Sequence, residues 1–126
     1  DGNDIASTTK EEDLEKLTGQ QGIAVYSIGL LNREDPAKAR HGREALERLA
    51  ESSGGLAYYP PAPEQATGCI VDVARQVRHV YTIGYAPLAQ ALDGSYRKLR
   101  VVAKGREKLW VKTRPGYRAA RRDAMK

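Results

Sequence analysis

Ile23-Ala24-Val25-Tyr26-Ser27-Ile28-Gly29-Leu30 is an almost unbroken apolar run, rich in β-branched residues and free of charge. A strand of that kind is covered on both faces, as strands of parallel sheets are. Helix signals stand on either side of it. Upstream, Ser7-Thr8-Thr9 can cap free N–H groups, and the acids of Lys10-Glu11-Glu12-Asp13 suit the positive end of a helix dipole. Leu14 and Leu17 give this helix a short apolar face, and Gly19 or Gly22 ends it.

Downstream, Asn32 to His41 is polar and holds Asp35-Pro36, which predicts a loop. Ala45, Leu46, Leu49 and Ala50 then recur at helical spacing, and Gly54-Gly55 stops that helix. Leu56-Ala57-Tyr58-Tyr59 is a second short strand, closed by Pro60-Pro61. Pro63 and Glu64 open a third helix with Ala66, Ile70, Val73, Ala74 and Val77 along one stripe. Helix, strand, helix, strand, helix is the order of an α/β layered fold with parallel strands.

Beyond residue 79 the pattern changes. Val80–Ala86 is rich in Tyr and β-branched residues, and Leu92-Asp93-Gly94-Ser95 is a turn signal. Tyr96–Ala103 and Leu109–Thr113 follow as strands, with alternation in Leu99, Val101 and Ala103 that fits a half-exposed antiparallel strand. The expectation is an antiparallel meander extending the sheet. Domain organisation follows: one domain over residues 1–118, then a basic, frayed tail over 119–126.

Composition narrows the function. With 126 residues, 40% hydrophobic and 29% charged, the chain is a single globular domain with no apolar run long enough to span a membrane. Cys69 is the only cysteine, which excludes an intrachain disulfide and a cysteine-based zinc site; its flanks predict a buried thiol. His41 and His79 share no ligand-like spacing, and no phosphate loop, nucleophile elbow or Cys/His pair is present. The chain therefore reads as non-enzymatic.

Charge is unevenly spread. Of 21 Lys and Arg, 12 lie from Tyr96 onward beside only two acids, a local charge of +10 that leaves −5 on residues 1–95. In that basic end Arg97, Lys98, Arg100, Lys112 and Arg114 interleave with Tyr96 and Trp110, as in platforms for nucleic acid or anionic surfaces. Trp110 sits between Leu109 and Val111, so it is expected inside. The preferred reading of these cations is a charged outer sheet face that protects an edge, with nucleic-acid binding the alternative.

Three stretches carry a family likeness: Asp1-Gly2-Asn3-Asp4-Ile5-Ala6-Ser7, the run Ile23–Leu30, and Leu46-Glu47-Arg48-Leu49-Ala50-Glu51-Ser52-Ser53-Gly54-Gly55. They resemble the second half of a von Willebrand factor type A domain. Tyr81-Thr82-Ile83-Gly84-Tyr85, Asp93-Gly94-Ser95-Tyr96-Arg97-Lys98-Leu99 and Arg114-Pro115-Gly116-Tyr117 look like the tail of the related group described from Acidobacteria. The resemblance implies the C-terminal part of a doubly wound, Rossmann-like sheet with helices on its faces. It also implies a site for Mg²⁺ or another divalent cation, used to bind a protein ligand, and it leans toward the cell envelope or secretion.

In that family the cation is held by an early Asp-x-Ser-x-Ser loop, a Thr from a second loop and an Asp from a third. Asp1 matches the third-loop Asp, with Asp4 and Ser7 supporting the loop. The first two loops have no counterpart in this chain. Hard cations need several oxygen ligands, so no bound metal is expected here. A homo-oligomer is expected as well, in which Ile23, Val25 and Ile28 are buried near the interface because the strand they lie on lacks edge protection.

Overall fold

A computed structural model of the chain describes residues 11–88, 91–105 and 109–120. Its elements are α1 (Glu11–Gln21), β1 (Ser27–Ile28), α2 (Pro36–Ser53), β2 (Ala57–Tyr58), a short 3₁₀ turn (Pro63–Gln65), α3 (Ala66–Arg78), β3 (Tyr96–Lys98) and β4 (Gly116–Arg118). The fold is mixed helix and strand, as the order of sequence signals predicts.

β1 and β2 pair in parallel, Ser27 opposite Ala57 and Ile28 opposite Tyr58, and α2 is the helix that joins them. The Ser27 amide donates to the Leu56 carbonyl at 3.0 Å and the Gly29 amide to the Tyr58 carbonyl at 2.9 Å. Regular pairing is shorter than the apolar run that suggested it, since only Ser27 and Ile28 of Ile23–Leu30 lie in the ladder.

α2 begins inside the segment expected to be a loop. Asp35 is its cap: one carboxylate oxygen accepts from the Ala37 amide at 2.9 Å and the Lys38 amide at 3.4 Å, and Pro36 fills the first turn. An acid cap followed by proline is a helix start, so His41 lies on a helix. The other end stops at Gly54, whose φ of 86° is left-handed, a backbone position that costs glycine nothing.

Adjacent tyrosines report what covers the first sheet. Arg43 of α2 stacks its guanidinium 3.7 Å from the Tyr59 ring centre, and the Tyr59 hydroxyl donates to the Arg43 carbonyl at 3.0 Å. Burial pushes the Tyr59 phenol above its ordinary range; Glu47 of the same helix adds to this and Arg43 opposes it. The Tyr58 phenol is raised as well, first by burial and then by Asp72 of α3. Consecutive residues of an extended strand point to opposite sides, so Tyr59 meets α2 while Tyr58 feels α3.

The C-terminal half departs from the expected meander. Among the described residues, 80–88 belong to no ladder, and neither Val101–Ala103 nor Leu109–Thr113 is paired. The strand pair described in this half is antiparallel, β3 with β4, with Arg97 opposite Tyr117. Gly116 explains the choice of partner: a side chain there would collide with the Arg97 carbonyl and the Tyr96 ring, so only glycine allows this approach. The Leu99 amide donates to Pro115 at 2.8 Å and the Ala119 amide to Ser95 at 2.9 Å, carrying the pairing one residue beyond each end of the ladder. Order thus reaches Ala119, the first residue of the expected tail; 121–126 lie outside the described residues.

The described core is small. Leu31, Ala50 and Ala119 are its buried apolar side chains, Ala50 the most enclosed at 1% exposure. Ala50 lies in the last turns of α2, where Gly55 follows so close to β1 that a β-carbon would strike the Val25 carbonyl. Gly55→Ala should therefore cost roughly 2–3 kcal/mol of stability, the range of an overpacked contact. Urea unfolding followed by circular dichroism checks it.

Candidate functional site

Asp1, Asp4 and Ser7, the residues of the expected cation loop, lie outside the described residues. Among the described residues, no group of three or more His, Cys, Asp or Glu side chains could hold a metal ion. Asp35, which follows β1 in the chain, is occupied in capping α2.

Among the five candidate anion-binding residues, Arg97 and Arg114 are engaged within the protein, and Lys98, Arg100 and Lys112 are exposed. Arg97 is half-buried; its guanidinium donates to the Ala91 carbonyl at 2.7 Å and lies 3.9 Å from the Asp93 carboxylate. The Asp93 carboxyl is held below its usual range, chiefly by hydrogen bonds from Ser95, whose amide reaches it at 2.9 Å, with Arg97 assisting. That acid pins the turn around Gly94, which has a φ of 74°. Lys98 alternates with Arg97 on β3 and is exposed. Arg100 is exposed beyond the ladder. Lys112 is exposed and lines a cavity of about 210 Å³ together with Glu47 and Glu51.

Arg114 has structural work to do. Its guanidinium donates to the Gly19 carbonyl in the last turn of α1 at 3.2 Å, and a β-carbon at Gly54 would lie 2.6 Å from its backbone nitrogen. The cation thus sits at the C-terminal end of α1, where the helix dipole favours positive charge, while the end of α2 packs against the Arg114 backbone. The same guanidinium stands 5.8 Å from the Tyr117 ring centre, and Tyr117 meets Tyr85 edge to face at 6.2 Å. Tyr85 was not among the expected site residues. What burial it has raises its phenol, as does its contact with Tyr117, while Arg114 and Arg97 pull it down. Its position follows from the Arg-Pro-Gly-Tyr turn rather than from any local signal around residue 85.

Two expectations about exposure are corrected. Trp110 is 68% exposed, because residues 109–113 are in no ladder and have no sheet face to bury it. Cys69 is half-buried instead of enclosed, since α3 has no fully buried residue among those described. His79 caps the end of α3, its Nδ1 2.7 Å from the Arg75 carbonyl. His41, Cys69 and His79 form no catalytic grouping with one another: they sit on α2, α3 and the end of α3. Among the described residues, no helix is long and apolar enough to cross a membrane.

Comparison of the chain with family models, with curated proteins and with solved structures found no match.

The Arg114 geometry makes a test. Arg114→Ala should destabilise the protein by roughly 1–2 kcal/mol, the worth of a charged hydrogen bond at a helix end. It should also raise the Tyr85 titration further, because a cation that holds the phenolate down in pH is gone. Thermal unfolding and a tyrosinate absorbance titration read the two effects.

Proposed function

We propose that this chain is the C-terminal part of a von Willebrand factor A-like domain, doubly wound in the Rossmann manner. It serves as a non-enzymatic module that binds a protein ligand through Mg²⁺ or a similar cation in the intact domain. The observation that supports the fold is the parallel pair β1 and β2 joined by α2, with Arg43 of α2 stacked on Tyr59 just after β2. A parallel pair joined by a helix is the repeating unit of a doubly wound sheet.

The cation role rests on the resemblance of the acidic loop. Asp1 supplies one ligand, Asp4 and Ser7 hold the loop, and the remaining oxygens come from loops that precede it. A module of this kind suits the cell envelope or the exterior. Mg²⁺ and Mn²⁺ calorimetry on this chain, and on the longest natural polypeptide that contains it, tests the reading. The chain by itself should bind weakly or not at all, and the longer polypeptide should show a stoichiometric site lost in Asp1→Ala. A gene that encodes no Asp-x-Ser-x-Ser loop ahead of Asp1 overturns it.

One observation favours a second reading, a basic module for nucleic acid: the exposed Trp110 with exposed Arg100 and Lys112 nearby in sequence. Against it, Arg97 and Arg114 are engaged within the protein. Single-stranded DNA should therefore bind in the non-specific range of roughly 10⁻⁴–10⁻⁶ M at physiological salt. A nanomolar complex weakened by Trp110→Ala would promote this second reading.

A further inference from the structure

Seven tyrosines and one cysteine are spread along the chain. One cysteine closes no intrachain disulfide, so a covalent cross-link within the chain has to come from other side chains. Tyrosine is the candidate, because oxidation can join two phenols ring to ring. Among the described residues one pair of tyrosine rings is in contact, Tyr85 with Tyr117, their centroids 6.2 Å apart and their planes at 75°. The partners come from different parts of the fold. Tyr117 is the middle residue of β4, opposite Arg97, whereas Tyr85 lies in no ladder among the described residues. Interaction with the Tyr117 phenol raises the Tyr85 phenol, so the hydroxyl ends of the two rings are close. Tyr85 is 52% exposed and Tyr117 half-buried, which leaves the pair open to an oxidant from solvent.

We propose that Tyr85 and Tyr117 are an oxidative cross-linking site, at which a one-electron oxidant, a haem peroxidase with hydrogen peroxide, joins the two rings as dityrosine. Each phenol gives up one electron and its hydroxyl proton and becomes a phenoxyl radical. The radicals pair through the ring carbons next to the hydroxyl-bearing carbons, forming one carbon–carbon bond. The hydrogen displaced at each of those carbons passes through water to the phenolic oxygen, which restores both phenols. The chain loses two electrons and two protons in all, and one hydrogen peroxide takes them up to give two waters. Radical coupling competes with radical decay, and rings held in contact present each other at a high effective concentration. The product ties Tyr85 to β4 and closes the chain between them into a loop. A link of that kind stabilises mainly by restricting the unfolded chain. Asp1 and the cation take no part, so the site stands apart from the cation reading.

Horseradish-type peroxidase and hydrogen peroxide, applied to the whole chain in dilute solution, test it. The expected product is a monomer lighter by two hydrogen atoms, with dityrosine fluorescence. Proteolysis and mass spectrometry should find the link between the peptides that carry Tyr85 and Tyr117. Tyr85→Phe keeps the ring and its packing but has no hydroxyl to oxidise, and should lower the yield of monomeric dityrosine by roughly tenfold or more. Tyr81→Phe, at a position 86% exposed and without a tyrosine ring against it among the described residues, should leave the yield unchanged. A chain that forms no dityrosine overturns the proposal. So do dityrosine confined to cross-linked dimers and a monomeric signal that Tyr85→Phe leaves intact.

Discussion

The C-terminal end of α2 joins the first sheet to the segment that leads into β4. Within six residues that end supplies four separate contacts. Ala50 is the most enclosed apolar side chain, and the Ser53 hydroxyl accepts from the Val25 amide at 3.0 Å while donating to the Ala50 carbonyl at 3.0 Å. Gly54 turns the chain left-handed beside the backbone of Arg114, and Gly55 passes against the Val25 carbonyl on its way into β2. A helix end must dispose of several unsatisfied carbonyls. Here the Gly54 amide reaches Glu51 at 3.2 Å and the Gly55 amide reaches Ala50 at 2.9 Å. The parallel pairing of β1 and β2 depends on this corner, because no side chain larger than hydrogen fits at Gly55.

The second sheet is fastened to the same corner by charge. Residues from Tyr96 onward are strongly basic, and Arg114 at the end of α1 is one of their attachments to the acidic remainder, beside the packing of α1 on β4. A helix C-terminus carries roughly half a negative charge, and the end of α1 with its Gly19 carbonyl makes a site for one guanidinium. The uneven charge along the chain thus has a structural use at one point. It follows that Arg114 and Arg97, which look in the sequence like members of a cationic surface, contribute mainly to holding the strands in place.

Elements whose signal is local were legible in the sequence. The stripe of α3, the stop at Gly54-Gly55 and the two short apolar strands lie where spacing and punctuation put them. The start of α2 was legible too, but only to a reading that weighs Asp35 as a cap with Pro36 after it rather than as a loop dipeptide. The C-terminal pairing was not, because it is decided at a distance. β3 could have found a partner in Leu109–Thr113 by alternation, and the contact between Gly116 and the Arg97 carbonyl, invisible to periodicity, selects β4 instead. Trp110 was misplaced for the same reason: its burial depended on a strand that is not paired. Of the candidate site, the engagement of Arg97 and Arg114 needed the fold, and the acidic loop at Asp1 lies beyond the described residues.

Those misses point one way. The segments expected to be sheet and unpaired among the described residues, 80–86, 101–103 and 109–113, are apolar or alternating and largely exposed, while β1 and β2 meet the end of α2 through Ser53 and Gly55 and β4 meets β3 through Gly116. Strand propensity measures fit to a half-buried surface more than any preference of the backbone alone. Without such a surface the same residues stay extended and solvated. Helices lose less by this, since their hydrogen bonds are internal, and α3 persists with Ile70 and Val77 more than half exposed. The difference between the helical and the strand-forming parts of this chain is therefore a difference in what each requires from its neighbours, and the strands are the parts that a further layer of polypeptide would complete.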